Sequence, residues 1–197
     1  MGSWSELVLS TRPFVAYGET EHYLQDTVLS YKYGIAPAWF SLFDRNELVI
    51  NGDRNSEDSD FCAYLVTDIS SARKRYAARR AKFAEVLGEL WTRSADNFGA
   101  YLDDSRASFA ILDMTEFTEM YEDFSDFTAM LDDSFRAFEL PILSGKKHLF
   151  SRKPKLTPEW KGLVDVADYY AGRPGGDQAW TVFGAGHDRY FDPPGEP

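Results

Sequence analysis

Six basic side chains lie within ten residues of one predicted helix, in a chain whose net charge is -11. Arginine and lysine at this density can bind phosphate groups or an acidic protein surface. We call these residues the basic face: Arg73, Lys74, Arg75, Arg79, Arg80 and Lys82. Two interpretations stay open, a surface for RNA or an acidic partner, and a solvated helix face that pairs with acidic residues of the same domain.

Residues 113–139 carry the opposite charge, with nine acidic residues against one arginine. Most of these acids point away from the apolar stripe of a predicted helix and could bind a basic protein. We call them the acidic face: Glu119, Glu122, Asp123, Asp126, Asp132 and Asp133. Neighbouring acids on a helix are about 100° apart, so they are poor candidates for a two-metal site.

One histidine lies where acid–base or metal chemistry is conceivable. His187 and Asp188 follow a Gly-Ala-Gly turn, and Asp192 is close behind. His22 and His148 are distant in sequence, so no second histidine stands at metal-ligand spacing. A structural turn is therefore the simpler interpretation.

No other segment supplies a catalytic motif. Cys62 lies in an apolar, strand-like run without a basic neighbour, which predicts a buried and inert thiol. Gly145-Lys146-Lys147 lacks the upstream glycine and the following Ser or Thr of a P-loop. The sequence thus assigns no catalytic residue, no metal and no cofactor.

The N-terminal third is predicted to form two β-hairpins that support these helices. Glu6–Leu9 and Phe14–Tyr17 flank one tight connection, and Glu47–Ile50 and Phe61–Val66 flank a polar loop that begins with Asn-Gly. The aromatic stretch 31–43 between the hairpins is expected to be buried.

The basic face belongs to a helix predicted from Thr67 to Trp91, with Asp68 as its N-cap. Apolar residues recur on the opposite side at steps of three and four, which predicts a core-facing stripe. These residues are Ile69, Ala72, Tyr76, Phe83, Val86, Leu87 and Leu90.

Two further helices are predicted before Pro141. One spans Ser94–Leu112, and the next begins at Asp113, which has capping-box spacing to Glu116, and breaks near Ser125. The apolar stripe of this third helix is Phe117, Tyr121, Phe124, Leu131, Phe135 and Phe138.

The last part of the chain is predicted to be less regular. A basic linker precedes a helix with Thr157 as N-cap and Pro158 at its first position, running to about Tyr170. A strand over Gln178–Phe183 follows.

The predicted fold class is α+β, with a small N-terminal antiparallel β portion packed against a mostly helical C-terminal part. The segments 1–66, 67–140 and 141–197 are expected to form one compact domain, since 197 residues with 44% hydrophobic and 16% aromatic content support one core. The acidic charge disfavours non-specific nucleic-acid coating. A single cysteine and no apolar run of membrane-spanning length predict a cytoplasmic protein without membrane attachment.

Three stretches resemble the HEPN/Toprim-associated N-terminal domain family of bacterial conflict and antiviral defence proteins. They are Met-Gly-Ser-Trp-Ser-Glu-Leu at 1–7, Pro-Ala-Trp-Phe-Ser-Leu-Phe-Asp-Arg at 37–45, and Tyr-Leu-Val-Thr at 64–67 leading into Ala-Arg-Lys-Arg at 72–75. The resemblance covers roughly residues 1–90. It implies a non-catalytic module that accompanies a nuclease domain.

The resemblance supplies no active site. HEPN nucleases place an arginine a few residues before a histidine, and none of the three histidines here has one. We therefore expect a binding or regulatory module of a defence or toxin–antitoxin system, which engages RNA or a partner nuclease through the basic face. The alternative is an immunity or antitoxin protein whose acidic face neutralises a basic toxin, and an enzyme with an unrecognised site comes third.

Overall fold

The computed structural model describes residues 3–13, 27–32, 34–54, 61–87, 89–144, 155–161 and 183–184. Within these ranges the strands are β1 (Trp4–Ser10), β2 (Thr27–Lys32), β3 (Leu48–Asn51), β4 (Cys62–Asp68), β5 (Phe109–Asp113), β6 (Leu143–Ser144) and β7 (Lys155–Leu156). The α-helices are α1 (Ile69–Leu87), α2 (Glu89–Asp104), α3 (Thr115–Thr118) and α4 (Phe124–Glu139). Two 3₁₀ helices cover Pro37–Leu42 and Arg45–Glu47. The fold is α+β, as predicted.

Five antiparallel strands form the main sheet in the order β2-β1-β5-β4-β3. Because side chains alternate between the two faces of a strand, residues in register share a face. Leu29, Leu7, Leu112 and Leu65 are in register across four neighbouring strands, and all are 0% exposed. This row of leucines is the sheet's contribution to the core.

The first 3₁₀ helix is buried along its whole length and carries the fully buried Trp39. Its indole Nε1 donates a 2.8 Å hydrogen bond to the carbonyl of Phe183. Phe40 meets Phe135 of α4 edge-on, with ring centroids 5.7 Å apart. The aromatic stretch predicted to be buried therefore joins the sheet, α4 and the distant residue Phe183.

Helices α1 and α2 pack against each other through aromatic side chains. Tyr76 Oη donates a 2.6 Å hydrogen bond to the carbonyl of Ala95, and the Tyr76 and Phe98 rings are 5.1 Å apart. At the start of α1, hydrogen bonds from Ser70 and Ser71 hold the pKa of Asp68 at about 2. The predicted N-cap is confirmed.

The second predicted hairpin is confirmed, because β3 pairs with β4 and Gly52 has a positive φ of 77° in the turn. The first hairpin is wrong. β1 has β2 on one side and β5 on the other, so neither edge is left for Phe14–Tyr17, which lies outside the described residues.

The largest correction concerns the predicted helix Ser94–Leu112. Helix α2 begins earlier, at Glu89, and ends at Asp104, while Phe109–Asp113 is the central strand of the sheet. The apolar run of four residues, Phe109–Leu112, fits a buried strand as well as a helix, and its position between β1 and β4 decides the outcome. The first predicted helix correspondingly ends at Leu87, and Thr67 belongs to β4.

The predicted break near Ser125 is confirmed, because two separate helices, α3 and α4, occupy this region, but the predicted helix start at Asp113 is wrong. Asp113 ends β5, α3 is one short turn, and α4 begins at Phe124 with Asp123 as its N-cap. The expected capping box at Asp113 and Glu116 is wrong, since the Glu116 carboxylate instead accepts a 3.3 Å hydrogen bond from the backbone of Trp4.

The apolar stripe of this region is largely confirmed. Phe117, Leu131, Phe135 and Phe138 are buried, while Tyr121 and Phe124 are half-buried. Phe127, which is 0% exposed, was not predicted as part of the stripe.

In the C-terminal part, residues 158–161 are helical from Pro158 as predicted, and Lys155 of the expected linker pairs with Ser144 instead. The continuation to Tyr170 and the strand over Gln178–Phe183 lie outside the described residues except for Phe183, which is helical. None of the described helices is long and apolar enough to span a membrane.

Candidate functional site: the basic and acidic faces

Arg73, the first residue of the basic face, closes the C-terminal end of α2. Its guanidinium donates hydrogen bonds of 2.6–3.1 Å to the carbonyls of Leu102, Asp103 and Ser105. The last carbonyls of a helix have no partner within that helix, and an arginine there also complements the helix dipole. Arg73 therefore stabilises the fold.

Arg75 and Arg79 bind the segment between the first 3₁₀ helix and β3. Arg75 contacts Glu47 through both terminal nitrogens, at 3.0 and 2.9 Å, and its Nε lies 2.8 Å from Asp44. Arg79 donates to the other oxygen of Asp44 at 2.7 Å. We call these four residues the ionic network.

Backbone carbonyls complete this arrangement. Arg75 reaches the carbonyl of Leu42 at 3.2 Å and Arg79 that of Phe43 at 2.7 Å. Asp44 and Glu47 also form the capping box of the second 3₁₀ helix, in which the Asp44 backbone donates to Glu47 at 2.8 Å. The guanidiniums thus fix a buried aromatic segment on α1, and their donors are directed away from solvent.

The remaining three basic residues are less constrained. Arg80 forms an exposed ion pair with Asp96 of α2, at 2.6 Å. Lys82 donates to the carbonyl of Phe138 in α4, and burial followed by the charge of Arg79 lowers its pKa. The side chain of Lys74 is exposed and makes no hydrogen bond or ion pair within the described ranges. Only Lys74 and Arg80 therefore present charge to solvent as a binding surface requires.

The acidic face has the opposite character, since all six of its side chains are exposed. Asp132 pairs with Arg45 of the second 3₁₀ helix. Asp123 caps α4, and its hydrogen bonds from Ser125 lower its pKa. The side chains of Glu119, Glu122, Asp126 and Asp133 have no hydrogen bond or ion pair to any residue that the structure describes. Their charge is available to another molecule.

A third group of carboxylates was not predicted from the sequence. Glu6 of β1 is in register with Asp113 of β5, and Glu116 follows nearby. Burial, reinforced by the charge of Asp113, raises the pKa of Glu6, whose Oε1 accepts a 3.3 Å hydrogen bond from Ser30. The pairing of β1 with a strand about a hundred residues later brings the acids together, so no local sequence pattern shows it.

Metal chemistry gains no support from these groups, because no three His, Cys, Asp or Glu residues among those described are arranged to hold a metal ion. Cys62 is buried in β4, as expected. His187, Asp188, Asp192, His22 and His148 lie outside the described residues.

Comparison with known proteins adds no further assignment. No protein-family model, no curated protein and no solved structure matches this chain.

Proposed function

We propose that this protein is a non-catalytic binding module of a bacterial defence or toxin–antitoxin system, acting in the cytoplasm, and that the acidic face binds a basic protein partner. The observation that carries the proposal is the contrast between the two charged faces. Most of the basic face is engaged in contacts within the fold, whereas the acidic face is exposed and largely unpaired.

Electrostatic complementarity gives such a surface its specificity and association rate. A toxin or nuclease that binds nucleic acid presents clustered Lys and Arg, which the acidic face would neutralise. The bacterial context rests on the resemblance of residues 1–7, 37–45 and 64–75 to the HEPN/Toprim-associated family. Their described residues lie largely in β1, the two 3₁₀ helices, β4 and α1, where many of the side chains are core residues or belong to the ionic network.

The test is a co-purification of the full chain with the products of its neighbouring genes, followed by titration calorimetry. Asp126→Asn with Asp133→Asn removes two exposed charges from the acidic face. The matched control is Glu85→Gln with Asp104→Asn, which removes two exposed charges from α1 and α2. We expect only the first variant to weaken binding of a basic neighbour, and the loss should shrink at high salt.

Equal affinities for the two variants would refute the acidic face as the binding surface. Titration with RNA tests the alternative interpretation, in which the basic face binds RNA. If RNA binds, and Lys74→Glu with Arg80→Glu abolishes that binding, the module acts on RNA through the exposed end of the basic face instead.

A further inference from the structure

Five apolar side chains of the β3–β4 hairpin and of the segment that leads into α4 stay partly open to solvent. We call them the apolar patch: Ile50, Phe61, Met120, Tyr121 and Phe124. Met120 is 50% exposed and Ile50 43%, and the three aromatic residues are half-buried. Exposed apolar groups gathered in one place mark interaction sites more often than exposed apolar residues scattered singly.

The patch joins two separate parts of the chain and is held in place from beneath. The Phe61 and Phe124 rings meet edge-on with centroids 6.0 Å apart, and Phe124 lies 5.3 Å from the fully buried ring of Phe127. The guanidinium of Arg54 donates to the carbonyl of Tyr121, which ties the β3–β4 hairpin to the segment before α4. The surface is therefore preorganised.

Ile50 extends the patch onto β3. It is in register with Ala63 of β4, and Phe61 stands two residues before Ala63. Phe61 directly precedes β4, so Ile50 and Phe61 lie at the same end of the hairpin.

Acidic residues adjoin the patch in the chain and in space. Glu119 precedes Met120, Glu122 follows Tyr121, and Asp123 caps the helix that begins with Phe124. The charge of Asp126 acts together with burial to raise the pKa of Tyr121, which places Asp126 close to the patch. An apolar centre with an acidic rim is complementary to an apolar side chain flanked by cations.

We propose that the apolar patch binds an apolar anchor, such as a phenylalanine, from a lysine- or arginine-rich segment of a partner protein. This inference rests on the proposed function and names the partner's chemistry. Nucleic acid and anionic lipid are disfavoured occupants because their phosphates would meet the acidic rim. The anchor supplies affinity, and the acidic face orients the basic segment around it.

The experiment uses two synthetic lysine-rich peptides, one with a central phenylalanine and one with serine in its place. Fluorescence anisotropy measures their binding to the full chain and to three variants. The variants are Ile50→Ser with Met120→Ser, Asp126→Asn with Asp133→Asn, and the control Glu85→Gln with Asp104→Asn. All six positions are exposed, so thermal melts should show that each variant keeps its fold.

We expect the phenylalanine peptide to bind the wild-type chain roughly tenfold more tightly than the serine peptide, from burial of the ring. This advantage should vanish in the Ile50→Ser, Met120→Ser variant and persist in the control. Equal binding of both peptides to the wild type, with weaker binding to the Asp126→Asn, Asp133→Asn variant, would overturn the apolar anchor and leave the proposed function standing.

Two other outcomes would also overturn the inference. No binding of either peptide would reject both the anchor and the acidic face as a site for basic segments. Concentration-dependent self-association of the wild type that is lost in the Ile50→Ser, Met120→Ser variant would assign the patch to a second copy of this chain.

Discussion

Reversal of two arginines in the ionic network tests whether the basic face serves the fold. In the variant Arg75→Glu with Arg79→Glu, four carboxylates would face one another where two arginines now bind Asp44 and Glu47. The same change would leave the carbonyls that accept hydrogen bonds from the two guanidiniums without these donors. The expected result is a clear loss of stability.

The size of the loss follows from the exposure of the groups. The side chains of Arg75 and Glu47 are 22% and 18% exposed, so their two-point contact is largely shielded from water, whereas Asp44 is 43% exposed and its pairs are partly screened. Hydrogen bonds to charged groups contribute about 1.5–3 kcal/mol each, which the screening reduces. We expect the double reversal to cost about 4 kcal/mol of unfolding free energy, or roughly 10 °C in Tm for a chain of this size.

Urea and thermal unfolding followed by circular dichroism measure this loss. The matched control is Lys74→Glu with Arg80→Glu, which makes the same charge change on the same helix at exposed positions and should cost at most about 1 kcal/mol. If the double reversal is too unstable to purify, Arg79→Gln alone provides the milder comparison. Equal melting temperatures for the reversal, the control and the wild type would refute the structural role of Arg75 and Arg79.

Three further changes have expected outcomes of their own. Gly184 has a φ of 76°, and an added Cβ would lie 2.2 Å from Cζ2 of Trp39. Gly184→Ala should therefore lower the free energy of unfolding in urea by about 2–4 kcal/mol, while the control Gly99→Ala in α2 should change it little. Equal losses in the two variants would contradict this. Phe135→Ala should cost about 3–5 kcal/mol, and an unchanged melt would remove this ring from the core. Glu6→Gln should melt at a higher temperature than the wild type at pH 7 and at the same temperature below pH 4. The pKa of Glu6 is higher in the folded than in the unfolded chain, so the wild type loses stability as the pH rises from the unfolded pKa through the folded pKa. A constant difference in Tm between variant and wild type at every pH would reject this.

The features that the sequence predicts correctly are those with local causes. The β3–β4 hairpin has a polar loop that begins with Asn-Gly between two apolar runs, and Asp68 stands directly before the helical period of α1. The stripe through Leu131, Phe135 and Phe138 repeats at helical spacing. In each case the residues that determine the structure lie within about two helical turns or one hairpin of each other.

The central strand β5 could not be assigned in this way. Phe109–Asp113 is short and apolar, and only its hydrogen bonds to β1 and β4 make it a strand. β1 precedes it by about a hundred residues, and such non-local pairing leaves no periodic signal in either segment. The same limit hides the approach of Glu6 to Asp113.

Prediction of the basic face was limited in a different way. The sequence shows which residues are basic, but it does not show which groups they bind. Arginine side chains are long enough to leave their own helix, and Arg73, Arg75 and Arg79 all bind backbone carbonyls of other elements. A carbonyl is present at every residue and has no signature in a sequence. Counting charges therefore overstates the positive surface of α1.

Fewer side chains of the acidic face than of the basic face are occupied by contacts within the fold. Glutamate and aspartate have shorter side chains, and those of α4 lie opposite its buried stripe, so few reach another element. The side chains of four acidic-face residues have no partner in the described part of the chain, as expected where 32 acids stand against 21 basic residues. Because these acids are exposed and their side chains unpaired, the field that an approaching protein meets near α4 is negative. This local negative charge is the reason for our proposal of a basic partner, with the apolar patch beside these acids as its proposed anchor point.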